Sequence, residues 1–376
     1  MKKRTFIIVL IVFTALLIAA CSSLSSKENA ELSVIKDVTA KYWGSSHADA
    51  AAEAFVHWNE DDPAEIPPTC ARCHSTDGFR DYIGDDGTEA GKVDAPAQVN
   101  DPVSCTACHN VAAEALDSVT FPSGKEVTGT GVNSVCMSCH GAMGSGQNVT
   151  KATEGKDLDV AVPDTSLIGP HYAHAAAAQQ GSAAGVGFEY AGKTYVGAFQ
   201  HADTVNSCTE CHDPHSLHTV KQANSDESLC STCHSGVTGW ETYRTVSMSK
   251  VDYDGDGTVE PVFDEIEGVK AVLMEALNKY SVKVVGTGLG FKFEAYPYGF
   301  IDTNQDGTID DSEGVFPNKF STFTPRMQQA AFNLLFVQKD PGAYVHNPKY
   351  ALQLMYDSIE DLSAQSGVSV EGLTRP

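Results

Sequence analysis

Ten of the eleven cysteines fall into five Cys-x-x-Cys pairs: Cys70/Cys73, Cys105/Cys108, Cys136/Cys139, Cys208/Cys211 and Cys230/Cys233. A histidine follows each pair at once: His74, His109, His140, His212 and His234. Two thiols one helical turn apart can reach the two vinyl groups of a single porphyrin, and an imidazole next in the chain then lies under the iron. The order therefore reads as covalent attachment of c-type haem at five places. Zinc ribbons use such cysteine pairs without requiring the following histidine. Disulfide frameworks do not repeat cysteines in this form.

An iron with a second axial ligand is a closed electron carrier, and one without it is open to small molecules. Eight further histidines are available: His47, His57, His171, His174, His201, His215, His218 and His346. His215 follows His212 across Pro214, too close to reach the far face of the fourth haem, so it is expected to bind a neighbouring one. His201, seven residues before Cys208, is a second candidate. His171 and His174 are expected to share a helical face, with one of them on iron and His171 preferred. Met143 could serve as a thioether ligand, but the supply of histidine favours bis-histidine irons.

Acidic loops suggest a different chemistry. Asp302, Asn304, Asp306, Asp310 and Glu313 occupy positions 1, 3, 5, 9 and 12 of a calcium loop, with Gly307 at the turn and Thr308 offering its carbonyl. Asp252, Asp254, Asp256, Thr258 and Glu260 begin a second such loop, which departs from the pattern: its twelfth position is Phe263, with Asp264 and Glu265 one and two later. One or two Ca2+ ions are expected, clamping turns rather than switching anything.

The elements that must position these groups fall into two regions. Segments around the haem motifs are rich in Gly, Pro, Asp and Thr, which favours turns. The interval between Cys139 and Cys208 contains two strand-like pieces, FEYAG and KTYVG. Beyond Trp240 there is no cysteine, and helical stripes begin: Ile266, Val269, Leu273, Leu277; then Met327, Ala330, Ala331, Leu334, Val337; then Leu352, Met355, Tyr356, Ile359, Leu362. The expected organisation is a haem region over 41–240 and a haem-free helical region with calcium loops over 241–376, packed on it. The fold is expected to be mainly α with much irregular loop, organised around stacked haems that replace much of the usual core.

The start of the chain is a targeting segment. Lys2, Lys3 and Arg4 precede an apolar run that is too short for a comfortable span and ends Ile18-Ala19-Ala20-Cys21. That ending resembles the lipobox of bacterial lipoproteins, which implies lipidation of Cys21 and removal of residues 1–20. Residues 21–40 are expected to be a flexible tether. Export also suits the motifs, since c-type haem is attached outside the cytoplasm. Removing the three basic residues with the segment leaves 22 basic against 49 acidic residues, a formal charge of −27. Such a surface repels nucleic acid and suits basic partners or cations.

The five motifs, CHDPH at residues 211–215, SSHADAAAEAFVHW ahead of the first motif, and the C-terminal KDPGAYVHNPKYALQLMYDSIEDL together resemble the multihaem c-type cytochromes of anaerobic respiratory bacteria and archaea. Many of these are periplasmic or extracellular lipoproteins. The resemblance implies distal ligation by His47, with His57 as the alternative, and by His346, and with His171, His201 and His215 that supplies five irons. It also implies electron transfer between redox proteins, in anaerobic or extracellular respiration, from a lipid-anchored position with the outer membrane favoured. Two other functions are compatible with the motifs. A reductase or oxidase of a small nitrogen or sulfur compound would need one open iron, and none of the five motifs is altered. A subunit of a cytochrome filament would donate a histidine across the subunit contact.

Overall fold

The structure is a computed structural model that describes residues 30–202, 205, 207–218, 229–237, 240–246 and 248–376. The targeting segment and Cys21 lie outside the described residues. Residues 30–43 are helical, so the expected tether is structured at least from residue 30. Ala30, Glu31, Leu32 and Lys36, with no Gly or Pro before Gly44, are good helix formers.

The chain divides into two compact units. One runs to Ala107 and includes His212–His218; the other comprises Cys108–Cys211 and Thr219–Pro376. The division passes through the second and fourth haem motifs and not near residue 240. The reason lies in the second unit's packing, where the C-terminal helices share a core with residues far earlier in the chain.

Three long helices carry that unit: α1 (Val262–Val284), α2 (Pro325–Gln338) and α3 (Pro348–Ser366). Each end is specified locally. Acidic Asp264 and Glu265 in the first turn of α1 and Lys283 in its last complement the helix dipole. Pro325 opens α2, capped by Thr324, whose side chain accepts from Met327 N. Asn347 caps α3 by accepting from Tyr350 N, and Gly367 ends it at φ +74°. Their expected stripes are buried against one another and against Leu289, Phe320 and Phe323, only Tyr356 being half-buried. A fully buried leucine such as Leu273 or Leu277 contributes about 2 kcal/mol.

The opposite faces of α2 and α3 enter a second core. Phe332, Phe336, Tyr350 and Leu354 meet Val119, Phe121, Met137, Val149 and Val186. Met137 lies inside the third haem motif, so this core fixes that motif directly.

The two strand-like pieces between the third and fourth motifs are irregular rather than strands. Their backbone is satisfied by side chains instead of a partner strand. Phe188 N donates to Asn333 Oδ1, Tyr190 N to the Tyr195 hydroxyl, and Val196 N to Gln353 Oε1. The described strands are short antiparallel pairs: Glu65–Ile66 with Ala97–Gln98, Ser118–Thr120 with Glu126–Thr128, and Gly288–Phe291 with Gly299–Asp302. No described helix is long and apolar enough to cross a membrane.

Candidate functional site

All five cysteine pairs sit on short helices: Pro68–His74, Cys105–Cys108, Asn133–Cys139, Cys208–Cys211 and Leu229–Cys233. Helical backbone puts residues three apart on one side, which is the placement a two-thioether attachment needs. Among the described residues, no group of cysteines and histidines converges as a zinc site would require. The first motif helix packs tightly on the next, Thr76–Tyr82, because Gly78 lies against Ala71; a Cβ there would run into the Ala71 backbone.

Three of the histidines that follow the cysteine pairs are oriented by the backbone. His74 Nδ1 lies 2.8 Å from Ala54 O, His140 Nδ1 2.7 Å from Ala173 O, and His212 Nδ1 3.4 Å from Leu217 O. A ring that donates from Nδ1 to a carbonyl carries its lone pair on Nε2, the tautomer that a metal-binding histidine uses. The residues therefore fit haem iron.

One pair of rings fits an axial arrangement closely. His201 and His234 have ring centroids 6.0 Å apart. Two imidazoles sharing one metal, with bonds of about 2 Å each and ring radii of about 1 Å, stand about 6 Å apart. Burial, and then the neighbouring His234 charge, lower the His201 pKa.

The third and fourth motifs adjoin at their cysteines. Asn133, at the start of the third motif helix, accepts from Cys208 N at 2.9 Å and from Ser207 Oγ at 3.1 Å. The Cys136 thiol is hydrogen-bonded to Cys208, which lowers the pKa of Cys136 and raises that of Cys208. Cys211 in turn lies near enough to Cys230 for their charges to interact.

The remaining histidines sort by surroundings. His346 Nδ1 faces the buried Asp340 carboxylate at 2.8 and 2.9 Å. His215 follows Asp213, whose Oδ1 accepts from His215 N and Ser216 N and whose Oδ2 pairs with Lys41 at 3.2 Å. Burial opposes ionisation of Asp213, but these N–H bonds and Lys41 hold its pKa down to about 2. His47 is half-buried. His57 is exposed and paired with Glu53.

The segment from His171 to His174 is not helical, as φ is +80° at His171 and +50° at Ala173. The two histidines therefore share no helical face. His171 is exposed, whereas His174 is fully buried with Nε2 2.8 Å from Phe336 O. Burial lowers the His174 pKa.

The two acidic loops share one hydrogen-bond frame. In 302–313, Asp302 Oδ2 accepts from Gly307 N, Asn304 Oδ1 from Asp306 N, and Asp306 Oδ1 from Thr308 N. Glu313 closes the loop by accepting from Thr303 N and Asp310 N. In the other loop, Asp252 accepts from Gly257 N, Asp254 from Asp256 N, and Asp256 from Thr258 N. There Glu265 closes it, accepting from Tyr253 N and Glu260 N. Of the two carboxylates just past the twelfth position, it is Glu265, at position fourteen, that takes the closing place. Ligand oxygens of Asp252, Asp254 and Asp256 lie within 4.8 Å of one another, and in 302–313 the buried Asp302 leaves Oδ1 without a partner.

No family model and no solved structure matches this chain. It is similar to C-type polyheme cytochrome OmcC of Geobacter sulfurreducens, 26% identical over 377 residues, which is 83% of this chain and 45% of that protein. It is equally similar, at 26% over 375 residues, to C-type polyheme cytochrome OmcB from two strains of the same species, covering 83% of this chain and 46% of theirs. The chain thus spans under half the length of these relatives. These distant relatives are C-type polyheme cytochromes by name, the class to which five Cys-x-x-Cys-His motifs on helical turns also point.

Proposed function

We propose that this chain is an exported pentahaem c-type cytochrome that relays electrons between redox partners. The observation that carries this reading is the His201–His234 pair, whose 6.0 Å ring separation suits two imidazoles on one iron. The names of the similar proteins, which are polyhaem cytochromes, support the same class. Bound haem supplies a one-electron iron couple. The protein's own part is to hold each group covalently through its cysteine pair and to present an oriented proximal imidazole. His201 closes the fifth iron, and His47, His171, His215 and His346 are the proposed distal ligands of the others. The contacts Asn133–Cys208 and Cys136–Cys208, with Cys230 near enough to Cys211 for their charges to interact, support a path running through the third, fourth and fifth haems in that order.

Purified holo-protein should carry five haem additions by mass spectrometry and five low-spin ferric irons by electron paramagnetic resonance. His201→Ala should convert one of them to high spin. A wild-type high-spin iron that binds nitrite or cyanide would transfer the protein to the reductase class instead.

The reading includes anchoring through acylated Cys21 at a membrane surface facing away from the cytoplasm, the outer membrane being favoured, where each buried methylene contributes about 0.8 kcal/mol. Palmitate labelling that persists in Cys21→Ser would overturn it. It also includes Ca2+ in the two acidic loops, with Glu313 and Glu265 as closing carboxylates. Calorimetric titration of the holo-protein with Ca2+ should lose one site in Glu313→Gln, and no heat of binding in the wild type would remove the ions from the account.

A further inference from the structure

His346 sits at a tightly built corner between α2 and α3. Asp340 is 3% exposed, and both of its carboxylate oxygens lie against His346 Nδ1. The backbone fixes the carboxylate from the other side, since Gly342 N donates to Asp340 Oδ1 at 3.1 Å. Gly342 also makes room for the imidazole: a Cβ on it would collide with the His346 ring. His346 N donates to Gly342 O, so ring and loop are held as one turn. The corner is tied to the third haem motif through the main chain, because Ala173 donates to Lys339 O and its own carbonyl faces His140 Nδ1.

The contrast with the proximal histidines is chemical. His74, His140 and His212 face neutral carbonyl oxygens, whereas His346 faces a buried carboxylate. A carboxylate that accepts from Nδ1–H fixes the tautomer, orients the ring and makes Nε2 a stronger donor. A stronger, partly anionic donor stabilises ferric iron over ferrous, and little solvent is present to screen the charge.

We propose that Asp340 is a positioning residue that holds His346 for iron and sets the potential of that one haem below what a carbonyl-oriented histidine would give. This rests on His346 being a distal ligand, as in the function proposed above, and the test separates the two. Holo-protein is prepared as wild type, Asp340→Asn, Asp340→Glu and His346→Ala, and each is followed by ferric electron paramagnetic resonance and by potentiometric titration. In His346→Ala one of the low-spin irons should become high-spin. Asp340→Asn should keep every iron low-spin while a single one-electron component rises. A tenfold loss of ferric preference would read as 59 mV for one electron. Asp340→Glu should restore part of the shift, and it keeps the test open if the asparagine variant loads haem poorly. Unchanged potentials in Asp340→Asn, beside a lost low-spin iron in His346→Ala, would overturn the role of Asp340 and leave the ligand standing. A full low-spin complement in His346→Ala would overturn the ligand itself.

Discussion

At the scale of single residues, the second unit is held by a few charged groups joining distant parts of the chain. Arg326 is the clearest. Its Nε donates to Asp159 Oδ1 at 2.8 Å and its Nη1 to Asp361 Oδ1 at 2.5 Å. It thus ties α2 to α3 and to the loop after the third motif. Replacing it by glutamine leaves two carboxylates without their cation. The cost should be about 1–3 kcal/mol, between that of an exposed and a buried pair, measured by chemical denaturation of the holo-protein. The same site has a pH signature. Arg326, and then the Tyr280 hydroxyl, hold Asp159 below the usual carboxylate range. A depressed carboxylate stabilises the fold above its unfolded pKa and loses that contribution as pH falls through the folded one. Wild-type stability should therefore drop below about pH 4, and Arg326→Gln should show a flatter acid limb. Because Asp159 is partly exposed, the difference should be about 1 kcal/mol.

At the scale of elements, the segment from Phe188 to Val196 shows how side chains can replace a sheet. Asn333 is fully buried, accepts from Phe188 N and donates to Phe188 O, and also donates to the Ser358 hydroxyl. Asn333→Ala would leave a buried N–H and carbonyl unmet, at about 1–3 kcal/mol each before any relaxation. The expected result is faster amide exchange at residues 186–196 with α1 still protected. Uniform exchange across the unit would show that this segment is not held by Asn333. The long helices were legible in the sequence because caps, prolines and apolar stripes are local signals. This segment was not, because alternating aromatic residues look the same whether their backbone meets a strand or the side chains of α2 and α3.

At the scale of the whole molecule, the described apolar clusters differ in size. The second unit has two extended apolar clusters. In the first, the cluster under the opening motif is small: Ile66, Ala71 and Ala97, with Trp58, Cys70, Val93 and Val99 against it. With so small a cluster beneath it, the opening motif should draw on the haem proposed above to offset chain entropy. Cys70→Ser with Cys73→Ser should therefore expose residues before 108 to limited proteolysis, while fragments containing α1, α2 and α3 persist. Equal resistance in wild type and variant would show that the first unit stands without its haem.

The sequence by itself determined the five Cys-x-x-Cys-His motifs, the three long helices and both acidic loops. All of these are written in spacing along the chain, where one helical turn or one twelve-residue loop is enough to make the chemistry readable. Tertiary structure decided which distant groups meet. It set His201 opposite His234, drew Asp340 onto His346, buried His174 against Phe336, and brought Glu265 to the loop whose closing residue the pattern lacked. Those meetings depend on how helices far apart in sequence share a core, and no local pattern encodes that. The same cause explains why the chain divides through two haem motifs and not at residue 240.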